Sequence, residues 1–148
     1  MIVIEVKPFY DLDAKEYHDI VRLRSEIFVV EQDCVYQDID GKDTNALHVI
    51  GRKNGEIIAY SRIFKSGEYF EVASIGRVAV KKSERKYGYG KDIVRASIDA
   101  IENYFDESKI KVSAQLYLER FYHFFGFNQI GEGYLEDGIP HIAMIRNA

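Results

Sequence analysis

The sequence predicts an α+β domain, a mixed and mostly antiparallel sheet of six or seven strands with helices on both faces, and three observations lead to it. Residues 47 to 80 hold three runs rich in β-branched and aromatic residues. The turns Lys53-Asn54-Gly55 and Lys65-Ser66-Gly67-Glu68 separate them, so consecutive strands fold back antiparallel. Apolar residues recur at helical spacing after Asp13 and again after Gly88. Further strands follow the second helical stretch, so strands and helices interleave along the chain.

Taken in order, residues 2–6 read as a short first strand. Asp13 and Glu16 have capping-box spacing and open a helix. Its stripe of Tyr17, Ile20, Val21, Leu23, Ile27 and Phe28 should run to about Val30. A polar segment, 31–46, precedes the strands at LHVIG and EIIAYSRIF, and a long third strand is expected over Tyr69–Val80. Gly76, inside that strand, marks a bulge or a close approach of other backbone or of a ligand. A helix follows near Gly88 with Ile93, Val94, Ile98, Ile101 and Phe105 on one side, then a strand at 110–114. Leu118, Phe121, Tyr122 and Phe125 share the face of a last helix, which Gly126 should end. Two strands near 127–134 and 141–146 close the chain around the turn Asp137-Gly138-Ile139-Pro140.

Composition bounds the function. A chain of 148 residues is the usual length of one domain, here 1–148, and large enough for a real core. Hydrophobic residues make up 47% and charged residues 30%, which excludes a disordered chain. The net charge of −4 argues against a nucleic-acid partner. No apolar stretch reaches the ~18 residues of a membrane span, and the opening run, broken by Glu5 and Lys7, is too short for a signal peptide. Lone Cys34 forms no internal disulfide and reads as a small apolar side chain in a reducing compartment. The expectation is a soluble, cytoplasmic, metal-free protein.

The join between Val80 and the helix near Gly88 is the informative feature. A helix start leaves amides unpaired, and those amides with the helix dipole form an anion site. Gly88 and Gly90 let backbone approach phosphate oxygens. Lys81, Lys82, Arg85, Lys86 and Lys91 set five cations around them in a chain that is acidic overall. The dinucleotide fingerprint fails because position 93 is Ile93, and no G-x-x-x-x-G-K-[ST] loop is present. The string does fit R-x-x-G-x-G, as Arg85, Gly88 and Gly90.

Here the chain resembles the GNAT superfamily, the Gcn5-related acyltransferases, whose acyl-CoA pyrophosphate loop has this form. Tyr122-His123-Phe124-Phe125-Gly126-Phe127 matches the family's Y-x-x-x-G-F. The segments Leu23–Gln32 and Glu136–His141 look like the ElaA-type branch, so the resemblance covers nearly the whole chain. It implies a GNAT fold and acetyl-CoA as co-substrate. It implies that Val78, Ala79 and Val80 on the long strand meet the pantetheine arm, and that Arg85, Lys86, Tyr87, Gly88, Tyr89, Gly90 and Lys91 hold the pyrophosphate. Gln115 stands where many members carry Asn.

The chemistry implied by the resemblance is direct attack of a primary amine on the thioester in a ternary complex, without an acyl-enzyme. A backbone N–H near Val78 would face the oxyanion, in a splay between the long strand and the strand at 110–114. Tyr122 is the candidate acid for the departing thiolate. Glu31 and His48 are the candidate bases, and His141 lies at the acceptor end by resemblance. Glu31, Asp33, Asp38, Asp40 and Asp43 read either as a lure for a cationic amine or as a solvated loop. The acceptor is a small-molecule or protein amine. Two other readings stand beside the enzyme: a non-catalytic acyl-CoA-binding module, and an interaction domain whose 11 Tyr and 9 Phe mark a homodimer surface.

Overall fold

The computed structural model describes residues 1–147. Seven strands form one sheet: β1 (Val3–Pro8), β2 (Leu47–Lys53), β3 (Glu56–Phe64), β4 (Ala73–Val80), β5 (Ile110–Gln115), β6 (Asn128–Glu136) and β7 (Ile139–Arg146). Their spatial order is β1-β2-β3-β4-β5-β7-β6. Every neighbouring pair is antiparallel except β4 and β5. Three helices, α1 (Ala14–Arg24), α2 (Tyr89–Phe105) and α3 (Glu119–His123), complete the fold. Among the described residues no helix is long and apolar enough to cross a membrane.

The alternation of strand side chains divides the core in two. Val49 and Ile58 face α2 and α3, with Ile93, Ile98, Ile101, Tyr122 and Phe127. Their neighbours Ile50, Ile57 and Tyr60 face α1, packing on Ile20, Leu23 and Ile27. The helices therefore cover both faces, as expected. Asp13 caps α1 as its spacing predicts, accepting a 2.8 Å bond from the Glu16 amide while Glu16 bonds back to the Asp13 amide. The helix then continues past Arg24 as a wider π-type turn over Ser25–Glu31. That turn brings Phe28 and Glu31 over the sheet's central strands.

Three expectations are corrected. The strand expected from Tyr69 begins at Ala73, because residues 69–72 fold back on the preceding turn. There the Gly67 amide donates to the Phe70 carbonyl at 2.8 Å, and Tyr69 stacks on Phe64. The bulge falls one residue after Gly76, and Gly76 itself borders a pocket between β4 and β5. Pairing moves from Tyr60↔Ala79 to Arg62↔Gly76, and Arg77 takes a left-handed φ of 51°. Its guanidinium holds that conformation by bonding Asp38 at 2.7 Å. Finally, the last turn is only Asp137-Gly138, with φ of 51° and 78°, since Ile139 and Pro140 already belong to β7.

The parallel pair positions the site. β4 and β5 pair only at Ala73↔Ile110 and Ser74↔Lys111. Beyond that point β5 stays with β7 out to Gln115↔His141, while β4 follows β3, and the two strands part.

Candidate active site

The parted strands open a passage through the sheet. On one side lies a groove of about 470 Å³ between the π-type turn, the end of β4, the start of α2 and α3. On the other lies a pocket of about 110 Å³, walled by Tyr36, Arg77, Ser113, Glu136 and His141. Phe28, Gln32, Val78, Gln115, Leu118 and Tyr122 line both. A ligand lying in the groove and one entering the pocket would meet at these residues.

Backbone polarity at this junction follows from strand geometry. The Lys81 amide donates to the Ile58 carbonyl on β3 at 2.8 Å. Successive residues of a strand point their peptide groups to opposite edges, so Val80 and Val78 direct theirs into the gap that β5 has left. The Val80 carbonyl bears this out by accepting a 3.0 Å bond from Arg85 Nε, which lies on the groove side. The Val78 N–H thus faces the junction, as an oxyanion donor must.

At the far end of the groove α2 begins at Gly88, whose φ of 77° suits a residue without a Cβ. No side chain caps this start. The first bonds back to Gly88 come from Lys91 at 3.1 Å and Asp92 at 3.4 Å, leaving the Tyr89 and Gly90 amides ahead of the helix ladder. A Cβ on Gly90 would stand against Phe121 and Val80, inside the groove. These amides with Lys91 suit an anion such as a pyrophosphate, while Arg85, which also lines the groove, is bonded to Glu31 and to the Val80 carbonyl. Lys86, Tyr87 and Tyr89 do not line the groove. Tyr89 is buried with its hydroxyl 3.2 Å from the Met1 amino group, and Tyr87 packs under Lys53. Their contact with a phosphate would be through backbone. Lys81 is bound to Glu56 at 2.6 Å.

The three predicted catalytic residues separate. Tyr122 sits at the junction, and burial pushes its phenol well above the usual range, which keeps the proton on oxygen at neutral pH. Glu31 lies in the groove, its carboxylate bonded to both terminal nitrogens of Arg85 at 2.6 and 2.8 Å. That bond holds its carboxyl below the ordinary carboxylate range. A base so paired is weakened, and it lies across the junction from the smaller pocket, which it does not line. His48 is a correction: it is completely buried and lines neither pocket. Its Nε2 donates to the Asp43 carbonyl at 2.9 Å and its Nδ1 accepts from Tyr60 at 2.6 Å. Burial lowers its pKa, so it stays neutral as a core bridge.

Of the acidic segment, Asp33 is exposed, but the 38–43 part is not a solvated loop. Asp38, Asp40 and Asp43 bond internally to Arg24, Arg62 and Arg77. Burial works to raise the Asp43 carboxyl, but bonds from Tyr17, Arg24 and Arg62 outweigh it and hold it below its ordinary value. Of the other pocket walls, Tyr36 and Glu136 lie in the 31–46 and Glu136–His141 segments that the sequence singles out, while Arg77 and Ser113 were missed by sequence reasoning. The one available signal was the alternation that puts Ser113 and Gln115 on the same face of β5.

Comparison with known proteins agrees with this geometry. A family model described as an acetyltransferase (GNAT) domain matches residues 14–147. Protein ElaA of Escherichia coli strain K12 is 39% identical over 138 residues, 92% of this chain and 90% of that protein. The crystal structure of E. coli ElaA superposes with a TM-score of 0.92 at 37% identity, covering 99% of both chains. An acyl-CoA N-acyltransferase from Pseudomonas aeruginosa superposes at 0.91 with 35% identity, covering 97% of this chain and 99% of that one. An uncapped helix start beside a parted strand pair, and these matches along nearly the whole sequence, lead to one conclusion: the chain belongs to the GNAT acetyltransferase family, with ElaA among its relatives.

Proposed function

We propose that the protein transfers an acetyl group from acetyl-CoA to a primary amine, by direct attack in a ternary complex. The observation that carries this reading is the sharing of Val78 and Tyr122 between groove and pocket. Acetyl-CoA supplies the activated thioester. The α2 start and Lys91 would bind its pyrophosphate, and β4 would pair with the pantetheine arm where β5 is missing. The Val78 N–H then faces the carbonyl oxygen, whose charge grows as the amine attacks. Tyr122, buried and protonated, donates to the departing sulfur. The acceptor pocket is small, about 110 Å³, which favours an amine on a slim chain entering end-on, from a small molecule or a protein side chain. Such a reaction belongs in the cytoplasm, where acetyl-CoA and a reduced Cys34 coexist.

The test is thiol release from acetyl-CoA against polyamines, amino acids, aminoglycosides and peptide N-termini, with Tyr122→Phe alongside. The expected outcome is release with one amine class, and a loss of about 100-fold in the variant at unchanged acetyl-CoA affinity. Tight acetyl-CoA binding with no release for any amine would favour a binding module instead. Equal turnover in the variant would remove Tyr122 from the chemistry.

A further inference from the structure

His141 begins as an ordinary residue of β7, opposite Gln115 on β5 and Tyr134 on β6, yet it is the imidazole that borders the acceptor pocket. Its Nδ1 lies 2.7 Å from the Ile139 carbonyl. A carbonyl only accepts, so Nδ1 carries the hydrogen, and in the neutral ring Nε2 is left with a lone pair. What Nε2 meets is Glu136 Oε2, at 3.5 Å. In that neutral state Nε2 and Oε2 are two acceptors with no hydrogen of their own between them, and a proton delivered to Nε2 turns the pair into an ion pair. Both are held in place. Ser113 donates to the other oxygen of Glu136 at 3.2 Å, Tyr134 bonds the Ser113 hydroxyl, and the Tyr134 ring stacks on His141 with planes 22° apart.

A pair of fixed acceptors lacks a donor, and the donor that suits both is a primary ammonium, which has three N–H groups and a positive charge for the carboxylate. We propose that Glu136 and His141 together receive the acceptor amine in its charged form, and that His141 Nε2 is the general base that makes it a nucleophile. The inference rests on the acetyl-transfer reading above. An ammonium proton passes to Nε2, and Glu136 stabilises the imidazolium until the proton leaves through its solvent-facing side, the Glu136 side chain being 49% exposed. The neutral nitrogen then forms the N–C bond as the C–S bond breaks. Tyr122 gives its proton to sulfur and recovers one from the nitrogen as the amide forms. One proton is released per turnover, which balances ammonium and thioester against amide and thiol.

His141 is thus a catalytic residue and Glu136 a positioning residue that also bonds the ammonium. The experiment compares primary alkylamines, charged at neutral pH, with O-alkylhydroxylamines of the same chains, which are neutral there and need no base. It uses the wild type, His141→Gln and Glu136→Gln, with acetyl-CoA binding by calorimetry as the check on folding. His141→Gln should lose about 100-fold in kcat/KM with alkylamines and less than about fivefold with the alkoxyamines. Glu136→Gln should show the same split with a smaller loss. Equal losses for both nucleophiles, or no loss for either, would overturn the base assignment while leaving acetyl transfer intact. A wild type that releases no thiol with either nucleophile would overturn the acetyl-transfer reading and the base with it.

Discussion

Two clusters of polar groups lie on the same sheet and behave in opposite ways. Around Arg24 and Arg62, both essentially inaccessible to solvent, nearly every donor has found an acceptor. Arg24 bonds Asp38 and Asp43, and Arg62 bonds Asp40 and Asp43. Tyr17 and Tyr36 close on Asp43 and Asp38, and His48 bridges Tyr60 and the Asp43 carbonyl. Only Arg62 Nε is left over. Around the β4–β5 gap the backbone is less fully paired: β5 leaves β4 after Ser74, strand alternation turns the Val78 N–H toward the parted strands, and a neutral His141 would present an acceptor to Glu136. Polar groups satisfied within the protein hold its shape, and those left without partners are where a ligand can gain free energy. The first cluster fastens the 38–43 segment to α1, β3 and β4, and so fixes the rim of the second.

The sharpest way to break the contrast is Arg24→Leu. It takes from Asp38 and from Asp43 one of the two guanidinium partners each has in a buried setting, leaving Arg77 and Arg62, and the expected cost is about 3 kcal/mol in urea unfolding. Protein that remains folded at low temperature should still bind acetyl-CoA with unchanged affinity. A loss below about 1 kcal/mol would mean that the buried pairs are not what holds this segment. Gly88→Ala works on the other region, forcing a side chain into a φ of 77°. About 1 kcal/mol of stability should go, and acetyl-CoA affinity should fall with it, because the anion-binding amides move. Full affinity in that variant would place the pyrophosphate elsewhere.

Acid separates the regions more gently. Bonds from Lys7, and then from the Asp13 amide and Arg52, outweigh burial and hold Glu16 at about 2 against an ordinary 4.5. Asp40 and Asp43 are likewise depressed, burial being outweighed chiefly by Arg62 in one and by Tyr17 and Arg24 in the other. A carboxyl with a depressed folded pKa stabilises the fold above its unfolded value and loses that contribution as pH falls through the folded one. Burial also lowers His48 below its ordinary 6.5, so protonation opposes folding as pH drops under that value. The urea midpoint should therefore decline modestly below pH 6.5 and steeply from about 4.5 toward 2. His48→Gln should remove the early decline but keep the later one. A midpoint flat over the whole range would contradict the buried network.

Much of this was legible locally. Asn54-Gly55, the Asp13–Glu16 cap and the Arg85-x-x-Gly88-x-Gly90 string act over a few residues, and each forms where its spacing says. What was not legible depends on distant partners. His48 and His141 both lie near a strand start with similar neighbours in sequence. One is sealed between Tyr60 and Asp43, while the other borders the pocket, because β2 lies two strands away from the gap and β7 lies directly beside β5, which forms one wall of it. Glu31 is drawn away from an acceptor role by Arg85, 54 residues later. Arg77 rather than Gly76 takes the bulge because Asp38, 39 residues earlier, holds its guanidinium.

The division between a sealed network and an open gap is tested most directly by amide hydrogen exchange with and without acetyl-CoA. Free, the Val78 and Val80 amides face a gap and should exchange fast for residues of a central strand. On addition of acetyl-CoA, exchange should slow at Val78, at Val80 and at the amides of Gly88 to Lys91, with the 38–43 segment unchanged. Slowing centred on residues 38–43, or a chain that binds acetyl-CoA while Val78 and Val80 exchange as before, would contradict it.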